Sequence, residues 1–405
     1  MIIGLLSFEY PPETGFGGIG TYTWYHARAL VRLGHQVHVL AGSTSEMPLT
    51  THQEGGVFVH RFRSGGPVMR AFSRIARYRC GWTRLRLENA WSMYQALKIL
   101  KRRYTFDVLE MPECGAEGCL INSLQKTPTV VRFHSPSQLI MPFYDVSRAD
   151  TVACSALERR AFKRATALTS CSAFLAGQVR TEMGVRVPVT TIPNGIDLSL
   201  FDREPLLDVA GFPKDRLTIL FAGRMERRKG IHLCGAIAET ILRRHDVAFV
   251  FAGEDLFGYL ADVTLPSLRK QQLRGSVHYL GKLGLQELRS CMRRADILML
   301  PSLWENCPYS CLEAMAASRA IVSSDQGGMP ELIRDGSSGL LARSGDAESF
   351  AAQIEALIES QELRERLGAA ARRTVEQFHT DDRIARLSVE VYERCGAAAA
   401  GGRKR

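Results

Sequence analysis

The stretch Ile297–Ala316 reads ILMLPSLWENCPYSCLEAMA and carries two glutamates, Glu305 and Glu313, separated by seven residues. The apolar run Ile297–Leu300 predicts a buried strand, and Pro308 is typical of the first turn of a helix, where its missing N–H is not needed. We therefore expect the first glutamate on the loop at the carboxyl end of a strand. The second should lie more than one turn into the following helix. Ligands of open α/β sheets bind at this end of the strands.

Each glutamate alone is typical of a solvent-exposed charge, because Glu is mostly a surface residue. Together, in an apolar context, the two carboxylates suit a ligand rich in hydroxyl groups, such as a ribose and a sugar. The pair resembles the E-x7-E signature of retaining glycosyltransferases with the GT-B fold, in particular glycosyltransferase family four. The resemblance extends over roughly Met1 to Cys395 and implies that Glu313 binds the ribose hydroxyls and Glu305 contacts the transferred sugar.

Length and composition fit a two-domain enzyme. The chain has 405 residues, of which 45% are hydrophobic and 23% charged, and single cores stop growing near ~250–300 residues. The first residues contain no basic leader and their apolar run is too short for a signal peptide, so we expect a buried first strand and a cytoplasmic protein. The ten cysteines lack zinc-like spacing and are expected to be free, mostly buried thiols.

Apolar runs alternate with helical segments along both halves of the chain, which predicts parallel, doubly wound sheets. The resemblance implies an α/β chain of the GT-B fold, with two Rossmann-like domains facing across a cleft. We expect an acceptor-binding domain at 1–195 and a nucleotide-sugar donor domain at 196–378. Residues 379–405 should form a helix that returns toward the first domain, followed by a flexible basic tail.

A basic loop follows the apolar run Leu217–Ala222. It carries Arg224 and Lys229, whose charges suit a diphosphate leaving group, on which negative charge builds as the glycosidic bond breaks. Arg offers a planar fork to phosphate and Lys a point charge. The loop resembles the G-R-x-x-x-x-K-G element of the family, which favours these two residues over Arg227 and Arg228, interpreted as surface charges.

A glycine cluster, Gly17-Gly18-Ile19-Gly20, precedes the first helix. Its backbone can approach phosphate closely, and the helix supplies its positive end, although a plain turn explains the glycines equally well. The family has a similar loop facing the donor diphosphate and the acceptor, which assigns Gly17 and Gly18 to the site.

The resemblance assigns three further residues to the site. His134 follows the predicted strand Thr129–Phe133 and would position the donor sugar and stabilise developing charge, although a lone His is more often structural. Glu254 lies in a turn that resembles the one near the nucleoside, and Leu283 lies in a loop that resembles the one behind the base. The segment 325–331 matches a recurrent loop of the family and is expected to be structural.

The helix that carries Glu313 departs from the common family form. Gly-aromatic-Gly usually follows the first glutamate, whereas this chain has Asn306-Cys307-Pro308, with Asn306 or Cys307 as the expected cap. The backbone N–H groups of Tyr309 and Ser310 are expected to meet the phosphate. No metal-ligand pattern occurs in the sequence, so we predict no metal and no cofactor, with Arg224, Lys229 and the helix terminus replacing Mg²⁺.

Positive charge is concentrated in residues 61–103, which contain twelve Lys and Arg against one acid, Glu88, in a chain of net charge +10. A solvated basic face explains this pattern, and so does an anionic membrane surface, because Trp82, Trp91, Phe72 and Tyr78 are interleaved with the cations. No nucleic-acid-binding motif accompanies the charge.

The sequence therefore predicts a retaining hexosyltransferase that moves a sugar from a UDP- or GDP-sugar to an acceptor hydroxyl. A saccharide or lipid-linked acceptor in cell-surface polysaccharide or glycolipid synthesis would suit a protein peripheral to the inner face of the membrane. A nucleotide-sugar epimerase of the same fold and a non-catalytic nucleotide-sugar binding protein are the alternatives.

Overall fold

Apolar runs form the strands of two separate sheets. The computed structural model describes residues 1–15, 17–44, 49–65, 80–269, 273 and 275–402, with side chains up to residue 397. One unit comprises Met1–Gly195 and Asp381–Arg405, and the other comprises Ile196–Thr380. We call them the first and the second unit.

The first unit contains an eight-stranded sheet with the order β3-β4-β2-β1-β5-β6-β7-β8. All pairs are parallel except β3 with β4. The strands are Ile2–Leu6 (β1), Gln36–Ser43 (β2), Leu49–Glu54 (β3), Val57–Arg63 (β4), Val108–Pro112 (β5), Thr129–Phe133 (β6), Ala167–Ser170 (β7) and Val189–Thr191 (β8).

Helices connect the consecutive strands of the first unit outside the segment β2-β3-β4, because neighbouring parallel strands need a long crossover connection. They are Gly18–Arg32 (α1), Gly81–Leu100 (α2), Gly118–Leu124 (α3), Ser137–Ile140 (α4), Arg148–Phe162 (α5) and Ala173–Thr181 (α6). Within the basic segment 61–103, helix α2 begins at Gly81, and residues 66–79, with Phe72 and Tyr78, lie outside the described residues, as does Phe16.

The second unit contains a six-stranded, fully parallel sheet with the order β11-β10-β9-β12-β13-β14. Its strands are Thr218–Ala222 (β9), Ala248–Ala252 (β10), Ser276–Tyr279 (β11), Ile297–Leu300 (β12), Ala320–Ser324 (β13) and Leu340–Ala342 (β14). Its helices are Ser199–Asp202 (α7), Ile231–Arg244 (α8), Leu265–Arg269 (α9), Leu285–Arg294 (α10), Tyr309–Ala316 (α11), Met329–Leu332 (α12), Ala347–Glu359 (α13) and Gln361–Phe378 (α14).

The predicted parallel, doubly wound sheets are confirmed, but two details differ from expectation. In the first sheet, the polar segment Leu49–Glu54 adds an antiparallel edge strand that no apolar run indicates. Helix α11 begins one residue later than expected, since Pro308 has extended backbone (φ −73°, ψ 136°) and is itself the N-cap. Its carbonyl accepts the N–H groups of Cys311 and Leu312.

The last helix, Asp381–Gly402 (α15), packs on helix α1 of the first unit. Its Tyr392 hydroxyl donates to Glu110 at 2.7 Å and is 2.9 Å from Nε2 of His26. The Arg32 guanidinium binds Asp381 at 2.6 Å. The helix is therefore anchored to the sheet of the first unit through buried polar contacts as well as apolar packing.

The ten cysteines are all free thiols, eight of them buried. None of the helices in the described part of the chain is both long and apolar enough to cross a membrane.

Candidate functional site

Each unit has a topological switch point, where the chain has built one side of the sheet and starts the other. It lies between β1 and β5 in the first unit and between β9 and β12 in the second. Ligands of doubly wound sheets bind at the carboxyl ends of such strands. The residues singled out in the sequence lie beyond the carboxyl ends of strands of these two sheets or on the helices that follow them.

The Glu305 carboxylate lies at the switch point of the second unit and is held by two cations. Its Oε1 atom is 2.7 Å from the Arg228 guanidinium and 2.5 Å from Nζ of Lys229. All three side chains are largely buried. Charge-assisted contacts of this kind are the strong class of hydrogen bond.

The electrostatics of this cluster follow from burial and pairing. Burial alone would raise the pKa of Glu305, but Arg228 and Lys229 lower it to about 2. Burial lowers the pKa of Lys229, and Glu305 opposes this effect. Glu305 is therefore a fixed negative charge at neutral pH, and the ammonium group of Lys229 is bound to it.

Arg228 is not the surface charge that the sequence suggested. Its guanidinium is buried and donates to Glu305, to Glu226 at 2.8 Å and to the carbonyl of Trp304 at 3.2 Å. Its carbonyl accepts the N–H of Leu303 at 2.8 Å. Arg227, in contrast, is exposed. The residue was missed because its partner Glu305 lies 77 residues further along the chain.

Two glycines allow the neighbouring loops to pack against each other. A Cβ atom at Gly230 (φ +80°) would lie 2.0 Å from the carbonyl oxygen of Pro301. A Cβ atom at Gly327 (φ +70°) would lie 1.9 Å from the carbonyl oxygen of Glu305, which also accepts the N–H of Gly328. The loop around residue 327 thus supports the backbone of Glu305.

Glu313 lies on helix α11, more than a turn from its start, and its side chain is buried. Burial raises its pKa to about 7, against the opposing charges of Arg289 and Lys229. Within the described residues, no hydrogen bond or ion pair engages its carboxyl group. Tyr309 and Ser310 supply the first two residues of the same helix.

The other second-unit residues that the sequence assigned to nucleotide-sugar binding lie on loops that follow β9, β10 and β11. Arg224 has a side chain that is 49% exposed and is 3.4 Å from Glu226, so its guanidinium is accessible to a ligand. The carbonyl of Glu254 accepts the N–H of Met225 at 2.9 Å, and its carboxylate is 3.7 Å from Nζ of Lys282. Leu283, the residue after Lys282, is half-buried.

In the first unit, Gly17 is the N-cap of helix α1 and Gly18 is its first residue. A Cβ atom at Gly17 would lie 2.6 Å from a carboxylate oxygen of Glu9, whereas Gly18 is open. A carboxylate beside this loop favours ligand hydroxyl groups there over phosphate.

His134 follows strand β6 in the first unit, and its side chain is buried edge-on against the ring of Tyr22 at 5.0 Å. Burial, followed by the charge of Arg132, holds the pKa of His134 well below its usual range, so the imidazole is neutral. A small cavity beside it is lined by Ser7, Ile19, Tyr22, Glu110, Arg132 and His134, among others.

In the described ranges, no group of three or more His, Cys, Asp or Glu side chains is arranged to hold a metal ion.

Comparison with known proteins identifies the class. Sucrose-phosphate synthase from Thermosynechococcus elongatus has a TM-score of 0.80 at 19% identity, covering 98% of this chain and 99% of that chain. HepE from Anabaena in complex with UDP-glucose has a TM-score of 0.69 at 17% identity, covering 97% and 100%. The fold is therefore that of the GT-B glycosyltransferases.

The sequence comparisons are more specific. The family model described as "Glycosyltransferase Family 4" matches residues 16–200, and the one described as "Glycosyl transferases group 1" matches residues 202–374. Phosphatidyl-myo-inositol mannosyltransferase from Mycolicibacterium smegmatis is 29% identical over 420 residues, which cover 98% of this chain and 95% of the relative. The chain belongs to glycosyltransferase family four.

Replacing Arg228 with Met should destabilise the second unit, because it leaves Glu305 and Glu226 buried without this partner. Breaking a buried ion pair costs about 3–5 kcal/mol, and the wider network should keep the loss near the lower value. Arg227→Met is the matched control, and its effect should stay within about 0.5 kcal/mol. Urea unfolding measures both; equal losses would contradict the assignment of Arg228 to the buried cluster.

Glu313→Gln should stabilise the protein at alkaline pH. A carboxyl whose pKa rises from 4.5 to about 7 on folding makes the folded state lose stability as pH increases over this interval. The variant lacks that loss, so its free energy of unfolding should exceed the wild-type value by about 3 kcal/mol at pH 8 and equal it at pH 4. The control Glu362→Gln, at an exposed position, should show no such crossover in urea unfolding. A pH-independent difference for Glu313→Gln would contradict this account.

Proposed function

We propose that this protein is a retaining glycosyltransferase that transfers a sugar from a UDP- or GDP-sugar to an acceptor hydroxyl. The observation that carries the proposal is the charged cluster of Arg224, Glu226, Arg228, Lys229 and Glu305 at the switch point of the second unit. Membership of a glycosyltransferase family supports the class, and the complex of HepE with UDP-glucose supports a nucleotide-sugar donor.

The exposed guanidinium of Arg224 and the ammonium of Lys229 would bind the diphosphate. Preorganised charges that meet the charge developing on a leaving group lower the barrier, and losing one such group typically costs 10²–10³ in kcat. The N–H groups at the start of helix α11, around Tyr309 and Ser310, add a positive helix end. These groups would do the work of a divalent cation, so the proposed reaction needs no metal.

The two glutamates would bind the hydroxyl groups of the donor. Glu305, an ionised acceptor, would contact the transferred sugar once the diphosphate competes for Lys229. Glu313 would accept hydrogen bonds from the ribose hydroxyls, and each such bond to its ionised form would be worth about 1.5–3 kcal/mol. Glu254 and Leu283 would border the nucleoside and its base.

Transfer would proceed on the face from which the leaving group departs, with the phosphate helping to deprotonate the acceptor, so that the anomeric configuration is retained. The neutral imidazole of His134 would position the sugar near the reacting carbon. Gly17 and Gly18 would let the acceptor or the donor approach the first unit closely. The product would enter cell-surface polysaccharide or glycolipid synthesis.

Donor binding should raise the melting temperature of the purified protein. We expect a shift with UDP-glucose or GDP-mannose that EDTA does not alter, since a ligand at ~100 times its Kd adds ~2.7 kcal/mol. Glu313→Gln should lose the shift relative to its own unliganded baseline, whereas Glu362→Gln should keep it. No shift with either donor, a shift with ADP-glucose alone, or a shift that EDTA abolishes would contradict the proposal.

Helix α2 supports a peripheral association with the inner face of the membrane. Its exposed apolar side chains are Trp82, Leu85, Trp91 and Ile99, and the exposed cations Lys98, Lys101, Arg102 and Arg103 lie at its end. Aromatic and basic residues together suit a lipid interface, and each cation near anionic lipid contributes ~1 kcal/mol. The acceptor would then be a lipid-linked saccharide or a growing chain at that surface.

Flotation with phosphatidylcholine vesicles, with and without phosphatidylglycerol, tests this association. We expect wild type to float only with the anionic vesicles. The double variant Lys98→Glu/Arg102→Glu should bind at least tenfold more weakly, because it reverses two charges at the surface. Lys163→Glu/Arg186→Glu changes the net charge equally at exposed positions elsewhere in the first unit. Absent flotation of wild type, or equal losses in both double variants, would contradict the membrane surface.

A further inference from the structure

The loop that carries His134 is held at its start by a buried carboxylate that the proposed chemistry does not use. Glu113 follows strand β5 and is fully buried. The N–H of His134 donates to both of its carboxylate oxygens at 2.9 Å, and the N–H of Ser135 donates to Oε1 at 2.5 Å. Strands β5 and β6 are adjacent, with Pro112 paired to Arg132, so the two residues leave the sheet side by side.

A second buried carboxylate holds the other end of the loop. Glu158 of helix α5 accepts the N–H of Ser137 at 2.9 Å and its hydroxyl at 2.5 Å. Arg86 of helix α2 binds Glu158 at 2.7 Å. Residues 134–137 are thus fixed between Glu113 and the Arg86–Glu158 pair, so the loop has little freedom to shift.

A buried carboxylate is costly unless it is hydrogen-bonded. Burial, together with the charge of Glu158, raises the pKa of Glu113 to about 8, and the N–H donors of His134 and Ser135 favour its ionised form. Loops have no regular backbone partners of their own, so the N–H groups of residues 134 and 135 depend on this carboxylate.

The Tyr22 ring fixes the side chain of His134 while Glu113 fixes its backbone. The Tyr22 hydroxyl donates to Glu110 at 2.7 Å, which holds the ring against the imidazole. The imidazole is therefore constrained from two directions. A group that positions a substrate must be held firmly, because a displacement of 1 Å can lower the rate by about 10²-fold.

We propose that Glu113 is a positioning residue for the transfer reaction, acting through the backbone N–H groups of His134 and Ser135. The inference rests on the proposed function, which gives His134 its role at the transferred sugar. Glu113→Gln keeps the length of the side chain but replaces one accepting oxygen with a donor that faces an N–H. We expect a fall of roughly 10–100-fold in kcat and an unchanged KM for the donor, whose proposed nucleotide-binding residues lie in the second unit.

A double-mutant cycle tests this role. Release of nucleoside diphosphate from UDP-glucose, GDP-mannose and ADP-glucose is measured for wild type, Glu113→Gln, His134→Ala and the double variant. If Glu113 acts through His134, the double variant should be no slower than His134→Ala. Losses that multiply, or a Glu113→Gln variant that raises KM with kcat unchanged, would overturn the proposal.

Asp150→Asn is the matched control. Asp150 is also buried and also accepts two consecutive backbone N–H groups, those of Trp82 and Thr83 at 2.8 Å each, at the start of helix α2. Its kcat should stay within about twofold of wild type, because among the described residues its side chain forms hydrogen bonds with Trp82, Thr83 and Cys154 and none with residues 134–137. An equal loss of kcat in Asp150→Asn would indicate a general effect of removing a buried carboxylate and would overturn the specific role of Glu113.

Amide hydrogen exchange separates this inference from the proposed function. Peptides that contain residues 134 and 135 should exchange at least tenfold faster in Glu113→Gln, whereas Asp150→Asn should leave them unchanged. Unchanged exchange in Glu113→Gln would overturn the positioning contact. A wild-type protein that releases no nucleoside diphosphate from any of the three donors would instead contradict the proposed function.

Discussion

The ion pair of Glu305 with Arg228 and Lys229 is the interaction on which the second unit's site depends. It joins the loop after β9 to the loop after β12. Glu226 also pairs with Arg228, so that each buried cation of the cluster lies against a carboxylate. Removing any one partner would leave a buried charge uncompensated. The absence of side chains at Gly230 and Gly327 lets the same loops approach closely enough for these contacts. The ion pairs of Glu305 and the close packing of these loops therefore depend on each other.

Both units contain a switch point in their sheet, but the residues beside it differ. In each, strands are added first on one side of the sheet and then on the other. Polar side chains lie at the carboxyl ends of the strands beside this switch point. The second unit supplies fixed charge, which suits a diphosphate. The first unit supplies a neutral imidazole, with a carboxylate against its glycine loop, which suits hydroxyl groups. This division matches the donor and acceptor roles that we propose for them.

The strands and the placement of Glu305 and Glu313 could be predicted because their signals are local. Ile297–Leu300 and Thr129–Phe133 are buried apolar runs, and their observed bounds agree with the expected ones. Strand β3 gave no such signal, because an exposed edge strand needs no apolar face. Arg228 and Glu113 were missed for another reason: their partners are distant in sequence, and only the tertiary fold decides whether a charged side chain is solvated or paired. An acidic residue directly after a buried strand is the signal that could have found Glu113, which follows β5, whereas Arg228 lies further from the end of β9 and has no such signal.

The central claim is that the charged cluster of the second unit is the donor site, and a crystal structure with bound UDP-glucose or GDP-mannose tests it most directly. The account predicts that the diphosphate contacts Arg224 and Lys229, that the ribose hydroxyls contact Glu313, and that Lys229 turns from Glu305 toward the phosphate. A nucleotide bound away from these side chains, or a diphosphate held by a metal ion with Lys229 still on Glu305, would contradict it.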